Sequence, residues 1–467
     1  MSDETLTGLA EDIRARRISP VEAVERSLGR IRKWDGRLHA FIRLDEKGAL
    51  ATARSLEADA AAGRWRGPLH GVPLAFKDLC HLRGLPTSCG TLTPDYFVSD
   101  QECTAARRLL DAGAISLGKL NITELAMGPF GDNVHHGDVD NPWLAGHVAG
   151  GSSSGSAAGV AAGFFEGAIG SDTGGSIRLP AACCGVVGIK PTYGRVSRAG
   201  AMPLSWSMDY LGPLAGTVRD AALMLTVMAG RDPADATASS RAVPDYASGL
   251  EGDISGVRIG LPANYFFEGV EEQIAAGVRV AARLLQGLGA RVSEIRLPDP
   301  KDMLDLSMLI TRAEASALHA RIFRERPQDL QPVVRARLEV GFGISAYDYL
   351  QAQRLRATLT RAFVRDVFGE VDVVMTPVIP EPQPALAALK ATAVDEFNAR
   401  AGRFSGLTRP FNGLGLPAIS VPCGFGSAGL PLAFQLVGRP FAEALLLRLG
   451  HAYQENTGWP ARQPELG

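Results

Sequence analysis

The sequence predicts an α/β protein: one large α/β/α domain in which helices cover a central mixed, mostly parallel β-sheet. Between about residues 67 and 224, short apolar strand patterns alternate with helical patterns, which is typical of parallel sheets. The 467 residues exceed an ordinary compact domain, yet large α/β enzymes reach this size around one continuous sheet. Because no repeat, low-complexity tract or clean linker divides the chain, one domain is favoured over two.

The first elements are predicted from capping and periodicity. Residues 1–66 form helices, one of which begins at Ser-Pro-Val-Glu (19–22), a capping box with proline at the first helical position. Residues 72–77 predict a strand. A helix over 104–112 and a strand over 114–118 follow, separated by a glycine that ends the helix.

The second half continues the alternation after residues 229–255, a stretch rich in Asp, Ala, Ser and Pro that predicts a surface loop. Residues 256–261 predict a strand. The next apolar residues recur every three or four positions, as on a core-facing helix: Ile274, Val278, Ala281, Leu285 and Leu288. The domain thus divides into N-terminal helices (1–66), a glycine-rich core (67–224), a variable, substrate-side region (230–370) and the C-terminal part of the core (371–467).

Composition and charge exclude several kinds of partner. Hydrophobic residues make up 46% and charged residues 21%, as in soluble globular proteins. With 48 basic and 50 acidic residues, the chain has no basic surplus to neutralise phosphates, so no nucleic-acid partner is expected. No apolar stretch approaches the roughly 18 residues that span a membrane. Six cysteines without a CxxC pair, and no signal-peptide pattern at the N-terminus, predict free thiols in the cytoplasm.

Two segments in which serines stand among glycines are the strongest candidates for chemistry: residues 150–158 (GGSSSGSAA) and 170–180 (GSDTGGSIRLP). Alone, each is compatible with a flexible loop or a helix cap, and Ser154 is positioned to cap the alanine-rich helix that follows. Neither ends in Gly-Lys-Ser/Thr, so a phosphate-binding loop is not indicated.

Together, these segments resemble the hallmark of the amidase signature family. Ser176 follows Ser152 by 24 positions, and Lys77, in the motif FKD, precedes Ser152 by 75. The likeness is densest over residues 67–224, is weaker in the N-terminal helices, and returns in LPAISVP at 416–422. The resemblance implies an amidase signature fold, hydrolysis of an amide and no cofactor.

The resemblance also implies three catalytic roles. Ser176 attacks the carbonyl, and Ser152, which follows a cis peptide bond after Gly151, accepts its proton. Lys77 is the terminal base. A serine hydroxyl is a poor nucleophile unless its proton is removed during attack, and lysine accepts a proton only when it is neutral. Because lowering a lysine pKa from about 10.4 to about 7 costs roughly 4.6 kcal/mol, an enclosed site is predicted.

Further roles follow from the same resemblance. The oxyanion of the tetrahedral intermediate needs donors fixed in advance, and glycines let a backbone approach it closely. The expected donors are the backbone N–H groups of Thr173, Gly174, Gly175 and Ser176. Residues expected to support the site are Gly151, Ser153, Asp172 and Arg178. Ala126, Met127 and Gly128 follow a family-like stretch and are expected to line the acyl pocket, although core packing explains Met127 equally well.

Two other assignments compete for the same residues. Residues 151–155 match the G-x-S-x-G motif of α/β-hydrolases, which would make Ser153 the nucleophile, with an acid such as Asp372 and a late histidine such as His451. That motif needs a buried strand before it, and the preceding residues 141–147 resemble a loop instead. Lys119 and Lys190 are rivals of Lys77, because spacing alone does not choose among the three.

A metal site is not expected. His135, His136 and His147 lie in a loop-like region without the HExxH motif or an i, i+4 helical frame. The adjacent Cys183 and Cys184 are interpreted as buried packing residues.

The leading hypothesis is a stand-alone hydrolase of small or aryl amides, with a urethanase-type activity on carbamates as a variant. The alternative is the glutaminase subunit of a tRNA-dependent amidotransferase. That subunit typically carries an aspartate, which holds the amino group of glutamine, five positions before the proline matching Pro410; this chain has Ser405 there. A non-catalytic interaction protein is disfavoured, since all three triad residues are present. Oligomeric state is open, with homodimers common among soluble enzymes.

Overall fold

One mixed sheet forms the centre of the computed structural model, which describes residues 5–459 and 463–466. Within those residues its eleven strands are β1 (Phe41–Leu44), β2 (Pro73–Lys77), β3 (Ile115–Leu120), β4 (Gly167–Ser171), β5 (Val187–Lys190), β6 (Leu211–Ala215), β7 (Arg258–Pro262), β8 (Arg291–Ile295), β9 (Val373–Pro377), β10 (Ala418–Phe425) and β11 (Pro431–Gly438). Across the sheet they lie in the order β1-β3-β2-β4-β6-β5-β10-β11-β9-β7-β8.

The predicted α/β class and mixed sheet are confirmed, but parallel neighbours do not dominate. Among the described strands, four neighbouring pairs are parallel and six are antiparallel. Two features produce the difference: β10 and β11 form a hairpin, and β6 lies between β4 and β5, antiparallel to both. A hairpin needs only a short turn, so βα alternation elsewhere in the chain does not predict it.

Helices surround the sheet. In the described residues they are α1 (Leu6–Arg14), α2 (Pro20–Leu38), α3 (Glu46–Ala61), α4 (Thr104–Asp111), α5 (Ser154–Ala161), α6 (Arg178–Cys184), α7 (Val218–Met228), α8 (Glu272–Gly287), α9 (Pro300–Leu318), α10 (Ala320–Glu325), α11 (Pro332–Phe342), α12 (Ala346–Glu370), α13 (Leu386–Lys390), α14 (Val394–Phe404), α15 (Arg409–Gly413) and α16 (Glu443–Glu455). Two short 3-10 helices span Glu124–Ala126 and Pro327–Asp329.

The alternation of side chains along β2 shows that both faces of the sheet are covered. Leu74 and Phe76 belong to one apolar cluster, which also contains buried residues of α1, α4 and α7. Ala75 points to the opposite face and joins a second cluster with residues of α2, α3 and α5. The predicted three-layer arrangement is therefore present around this part of the sheet.

Several local predictions are confirmed and one is wrong. The capping box at the start of α2 has both of its hydrogen bonds, between Ser19 and Glu22. Residues 230–255, which are all described, contain neither helix nor strand. The predicted cap of α5 differs, because the helix begins at Ser154 and its N-cap is Ser153, with no side-chain capping bond. The hydroxyl of Ser153 is used elsewhere, in the contacts described below.

The parallel pairing of β2 with β4 positions the candidate site. Phe76 lies opposite Ile169 in this pair, so the carboxyl ends of both strands reach the same edge of the sheet. Lys77 is the last residue of β2 and Ser171 is the last residue of β4. The glycine-rich segments predicted to carry the chemistry meet at this edge.

Candidate active site

The side chain of Lys77 ends among three serine hydroxyls. Its Nζ lies 2.7 Å from Oγ of Ser152, 2.8 Å from Oγ of Ser153 and 2.9 Å from Oγ of Ser171. The structure therefore joins Lys77 to Ser152, as the resemblance implies, and the peptide bond between Gly151 and Ser152 is cis. Ser171 was not among the predicted site residues, although it ends the strand beside β2 and its place follows from the strand pairing.

Burial sets the protonation of Lys77. The lysine, Ser152 and Ser153 are all fully buried, and burial lowers the pKa of Lys77 to about 7. Water hydrates an ammonium far better than a protein interior does, so desolvation favours the neutral amine. The enclosed environment that the sequence argument required is therefore present.

The rival lysines have other partners. Lys119 forms a buried ion pair with Asp78, with 2.7 Å between Nζ and Oδ1, and this carboxylate holds its ammonium group. Lys190 is hydrogen-bonded to the backbone carbonyl of Leu416, and its Nζ lies 3.7 Å from the centre of the Tyr210 ring. Of the three candidates, Lys77 is the one that contacts Ser152.

Ser176 lies beside this cluster and faces a cavity. Its backbone carbonyl accepts a 3.3 Å hydrogen bond from the N–H of Ser153, and its side chain is partly accessible. The Ser176 hydroxyl forms no hydrogen bond with the residues that the structure describes, so the predicted contact with Ser152 is not made. Hydrogen bonds of unliganded active sites are often long and tighten when substrate binds.

An ion pair beneath the 172–177 loop holds its shape. Asp172 and Arg178 are fully buried, with 3.0 Å between Oδ2 and Nε, and the guanidinium also donates to Gln435. Asn412 donates a 2.7 Å bond to Asp172. Burial alone would raise the pKa of Asp172, but the Arg178 charge and these hydrogen bonds hold the pKa well below its usual range. The carboxylate therefore stays ionised and anchors the loop.

Gly175 departs from the predicted oxyanion hole. Its N–H donates a 2.7 Å hydrogen bond to Oδ1 of Asp172 and is therefore not free for substrate. A side chain at Gly175 would collide with Thr408, and its φ of 125° favours glycine. The position therefore needs glycine for the path of the backbone, although its N–H is already used. The N–H groups of Thr173, Gly174 and Ser176 form no hydrogen bonds with the described residues, and they remain the candidate donors.

Thr173 is held by a second buried carboxylate that the sequence argument missed. Its hydroxyl donates a 2.6 Å hydrogen bond to Asp209, which also accepts the backbone N–H groups of Leu204 and Ser205. Burial raises the pKa of Asp209 to about 6. Asp209 carries no motif that would have identified it from sequence.

A cavity opens in front of Ser176, and its empty space of about 760 Å³ includes the part that is open to solvent. The predicted pocket residues Ala126, Met127 and Gly128 line one side, next to Thr173 and Gly174. The facing wall comes from distant parts of the chain: Met308, Thr311, Arg312, Arg337, Asn398, Ala401, Gly402, Ser405 and Arg409. Of these wall residues, the sequence analysis singled out only Ser405, as the position where the glutaminase subunit typically carries an aspartate. The others were not predicted, because no local pattern connects α9, α11 and α14 to the glycine-rich loops.

The alternative triad of an α/β-hydrolase does not assemble. Ser153 is fully buried against Lys77, whereas Asp372 forms an ion pair with Arg258. His451 lies next to Glu251. The three residues of that hypothesis therefore have separate partners, and the hypothesis is wrong.

The predicted loop histidines have ordinary partners. His135 contacts the Glu124 carboxylate at 2.8 Å, and His136 contacts the backbone carbonyl of Thr91 at 2.8 Å. Over residues 5–459 and 463–466, no group of three or more His, Cys, Asp or Glu side chains is arranged to hold a metal ion. In the same residues, no helix has the length and apolar character needed to cross a membrane.

Comparison with known proteins places this fold and site in one family. A model of the Amidase family matches residues 22–447. A glutamyl-tRNA(Gln) amidotransferase subunit of Roseiflexus sp. (strain RS-1) is 42% identical, with 99% of this chain and 98% of the relative covered. An amidase of Pseudomonas putida is 41% identical over 99% of this chain and 98% of its own length. The structure of a bacterial aryl acylamidase superposes with a TM-score of 0.89, at 27% identity and 99% coverage of both chains.

Fold, site and relatives together define a class: hydrolases that act on carbon–nitrogen bonds. Within that class, the chain belongs to the amidase signature family.

Proposed function

We propose that this chain hydrolyses the amide bond of a small molecule through an acyl-enzyme on Ser176. The Oγ of Ser176 attacks the carbonyl carbon while its proton moves to Ser152, whose own proton moves to Nζ of Lys77. Collapse of the tetrahedral intermediate expels the amine, which takes a proton back through Ser152. Water then attacks the acyl group by the same relay, and the acid is released.

The observation that carries the proposal is the contact of a buried lysine, with a pKa of about 7, with Ser152. A neutral amine has two N–H donors and one lone pair, so one of the three surrounding hydroxyls donates to Nζ. Ser153 donates its proton to the carbonyl of Ser171, at 3.2 Å. This favours Ser152, the closest of the three hydroxyls, as the group that gives its proton to Lys77.

Stabilisation of the oxyanion is assigned to the free N–H groups of Thr173, Gly174 and Ser176. Preorganised donors of this kind act where charge develops in the transition state, and losing one typically costs about 10²- to 10³-fold in rate. Asp172 supports them indirectly, because it binds the N–H of Gly175 and the Arg178 side chain.

For the substrate, we propose small or aryl amides, with aryl carbamates as a variant because they present a similar carbonyl. The similarity to a bacterial aryl acylamidase and to an amidase of Pseudomonas putida supports this choice. The partly enclosed cavity in front of Ser176 is the place where such a substrate would bind.

Glutamine is the second candidate, because a relative 42% identical over nearly the whole chain is an amidotransferase subunit. Ser405, at the position where that subunit typically carries an aspartate, lines the cavity and accepts a 2.9 Å hydrogen bond from Arg409. A neutral hydroxyl beside a guanidinium offers no counter-charge to an ammonium group. This contact favours the stand-alone amidase over the glutaminase.

The purified chain alone should release 4-nitroaniline from an acyl 4-nitroanilide faster than it releases ammonia from L-glutamine. The comparison is made as kcat/KM for both compounds, with a matched 4-nitrophenyl carbamate as the third substrate. Glutamine hydrolysis as fast as anilide hydrolysis would favour the glutaminase function instead. Turnover of none of the three would contradict the proposed function.

The rate should depend on pH through Lys77. Below a pKa of about 7 the lysine is protonated and accepts no proton, so kcat/KM should fall about tenfold per pH unit toward pH 5. Asp209, with a pKa of about 6, titrates in the same range and contacts Thr173. The Asp209→Asn variant removes that second titration and should keep the Lys77 limb. A profile that stays flat down to pH 5, with circular dichroism showing a folded protein, would contradict the role of Lys77.

A further inference from the structure

The cavity wall that contains Ala126 and Met127 has an unusual backbone. Leu125 and Ala126 are consecutive residues in the left-handed region, with φ of 51° and 60°. Side chains other than glycine rarely adopt this conformation, because Cβ comes too close to the backbone, and it persists only where the surroundings hold it. The path of the turn of residues 124–127 therefore depends on groups outside it.

The first residue of this turn, Glu124, supplies such a group. Its side chain is fully buried, and each carboxylate oxygen has a partner. Oε1 lies 2.8 Å from Nε2 of His135, and Oε2 accepts a 2.8 Å hydrogen bond from the backbone N–H of Gln331. Burying a carboxylate is costly unless hydrogen bonds compensate for the lost water, so both partners stabilise Glu124 in this place.

The partner on one side belongs to the segment that follows β3. The backbone N–H of His135 donates a 2.8 Å hydrogen bond to Oδ1 of Asn133. The side-chain amide of Asn133 is buried and donates to the carbonyls of Gly90, at 3.0 Å, and Ile122, at 2.8 Å. His135 is therefore attached to the same half of the molecule as the glycine-rich loops.

The partner on the other side belongs to α11. Gln331 is the N-cap of this helix, and Arg337, six residues later, donates to the backbone carbonyl of Met127. Because six helical residues span about 9 Å, these two contacts fix both the position and the direction of α11 relative to the turn. The turn lines one side of the cavity and Arg337 the facing side, so Glu124 joins the two walls.

We propose that Glu124 is a positioning residue, which fixes the spacing between the cavity walls and thereby the size of the acyl group that reaches Ser176. Glu124 is not among the described residues that line the cavity, and it acts through Ala126, Met127 and α11. Without its two bonds the strained turn relaxes and the walls separate, so larger acyl groups are admitted. This inference rests on the proposed amide hydrolysis and adds a residue that controls its specificity.

A proline at position 331 removes the N–H that Glu124 binds and little else. The backbone accepts Gln331→Pro, because Gln331 has a φ of −64° and Leu330 before it is extended, with a ψ of 137°. Gln331→Ala is the matched control. It also removes the side chain, whose own hydrogen bonds are long, at 3.3 and 3.4 Å, but it keeps the N–H. The difference between the two variants therefore measures the bond to Glu124.

The substrates for this test are the 4-nitroanilides of acetic and hexanoic acid. The hexanoyl-to-acetyl ratio of kcat/KM should be about tenfold higher in Gln331→Pro than in Gln331→Ala, near the lower end of what one hydrogen bond to a charged group contributes. The difference should arise in KM, since the proton relay is unchanged. Labelling of Ser176 by methanesulfonyl fluoride, which is too small to reach both walls, should proceed at similar rates in the two variants. Equal ratios in the two variants would overturn the proposal.

Substitution of Glu124 itself gives a second comparison. Glu124→Met loses both bonds and should raise the ratio further. Glu124→Gln should raise it less, because the carboxamide accepts from Gln331 and donates to Nε2 of the other neutral tautomer of His135. Glu339→Met removes an exposed carboxylate from α11 and should leave the ratio unchanged. A ratio that neither Glu124 variant alters would contradict the positioning role even if Gln331→Pro failed to fold.

Binding separates this proposal from the amidase function. Calorimetry in the Ser176→Ala background compares hexanamide with propanamide, and their affinity ratio should rise more with Gln331→Pro than with Gln331→Ala. If the wild type hydrolyses no amide but this difference is present, the amidase proposal fails and the positioning role of Glu124 stands. If the two variants have the same affinity ratio, the positioning role is wrong, whatever the hydrolysis assay shows.

Discussion

Ser176→Ala should lower kcat for amide hydrolysis by about 10⁴- to 10⁶-fold, the largest loss expected of any single substitution here. Without Oγ no acyl-enzyme forms, and only binding and the oxyanion donors remain to accelerate the reaction. Because the Ser176 hydroxyl forms no hydrogen bond with the described residues, its removal should leave the fold and its thermal midpoint unchanged. Single-turnover rates and thermal melts measure the two effects separately.

Ser154→Ala is the matched control for this prediction. Ser154 lies two positions after Ser152 and is equally buried, but its hydroxyl has no hydrogen-bond partner and contacts no proposed reacting group. Removing it should leave kcat close to that of the wild type. A Ser176→Ala enzyme with more than about one hundredth of the wild-type rate would exclude Ser176 as the nucleophile, since nucleophile losses are typically far larger.

Lys77→Met should be the second most damaging change, with kcat/KM falling by about 10³-fold or more. Methionine is close in length to lysine but has no basic atom, so it cannot accept the proton of Ser152. Since about half of the buried amine is already neutral at pH 7, replacing it with an apolar side chain should not unfold the protein. Stopped-flow or discontinuous assays across pH 5–9 measure the loss.

The pH profile distinguishes a proton acceptor from a packing residue. In Lys77→Met combined with Asp209→Asn, which removes the second titration, the residual rate should lose the acid limb near pH 7. A variant with a similar drop in rate that retains this limb would show that Lys77 only supports the fold. Near-wild-type turnover in Lys77→Met would refute the relay altogether.

The residues that share one stretch of chain were predictable. Ser152 and Ser176 stand in glycine-rich motifs, and the resemblance to the family selects Lys77 from three lysines that spacing alone does not separate. The need for a neutral lysine follows from serine chemistry. The burial that makes Lys77 neutral depends on the closure of the sheet around it, which no motif records. Ser171 was within reach of the same argument, because strand pairing puts the end of β4 beside the end of β2.

Other features depend on long-range packing and had no local signal. Arg312, Arg337 and Arg409 meet only because α9, α11 and α15 fold over the edge of the sheet. Asp209 is an ordinary aspartate in sequence and becomes notable through its bond to Thr173. Gly175 was predicted to be an oxyanion donor, but Asp172 takes its N–H, a competition visible only in three dimensions.

The separate origins of the two cavity walls have an evolutionary consequence. The proposed proton relay and oxyanion donors lie between Lys77 and Arg178, whereas the facing wall comes from residues 308–409. Substitutions in that wall can change which molecules are admitted while the bond-breaking apparatus stays intact. Substrate preference can thus change through mutations on one side of the cavity. A library of variants restricted to α9, α11 and α14 is the natural starting point for changing the substrate of this enzyme.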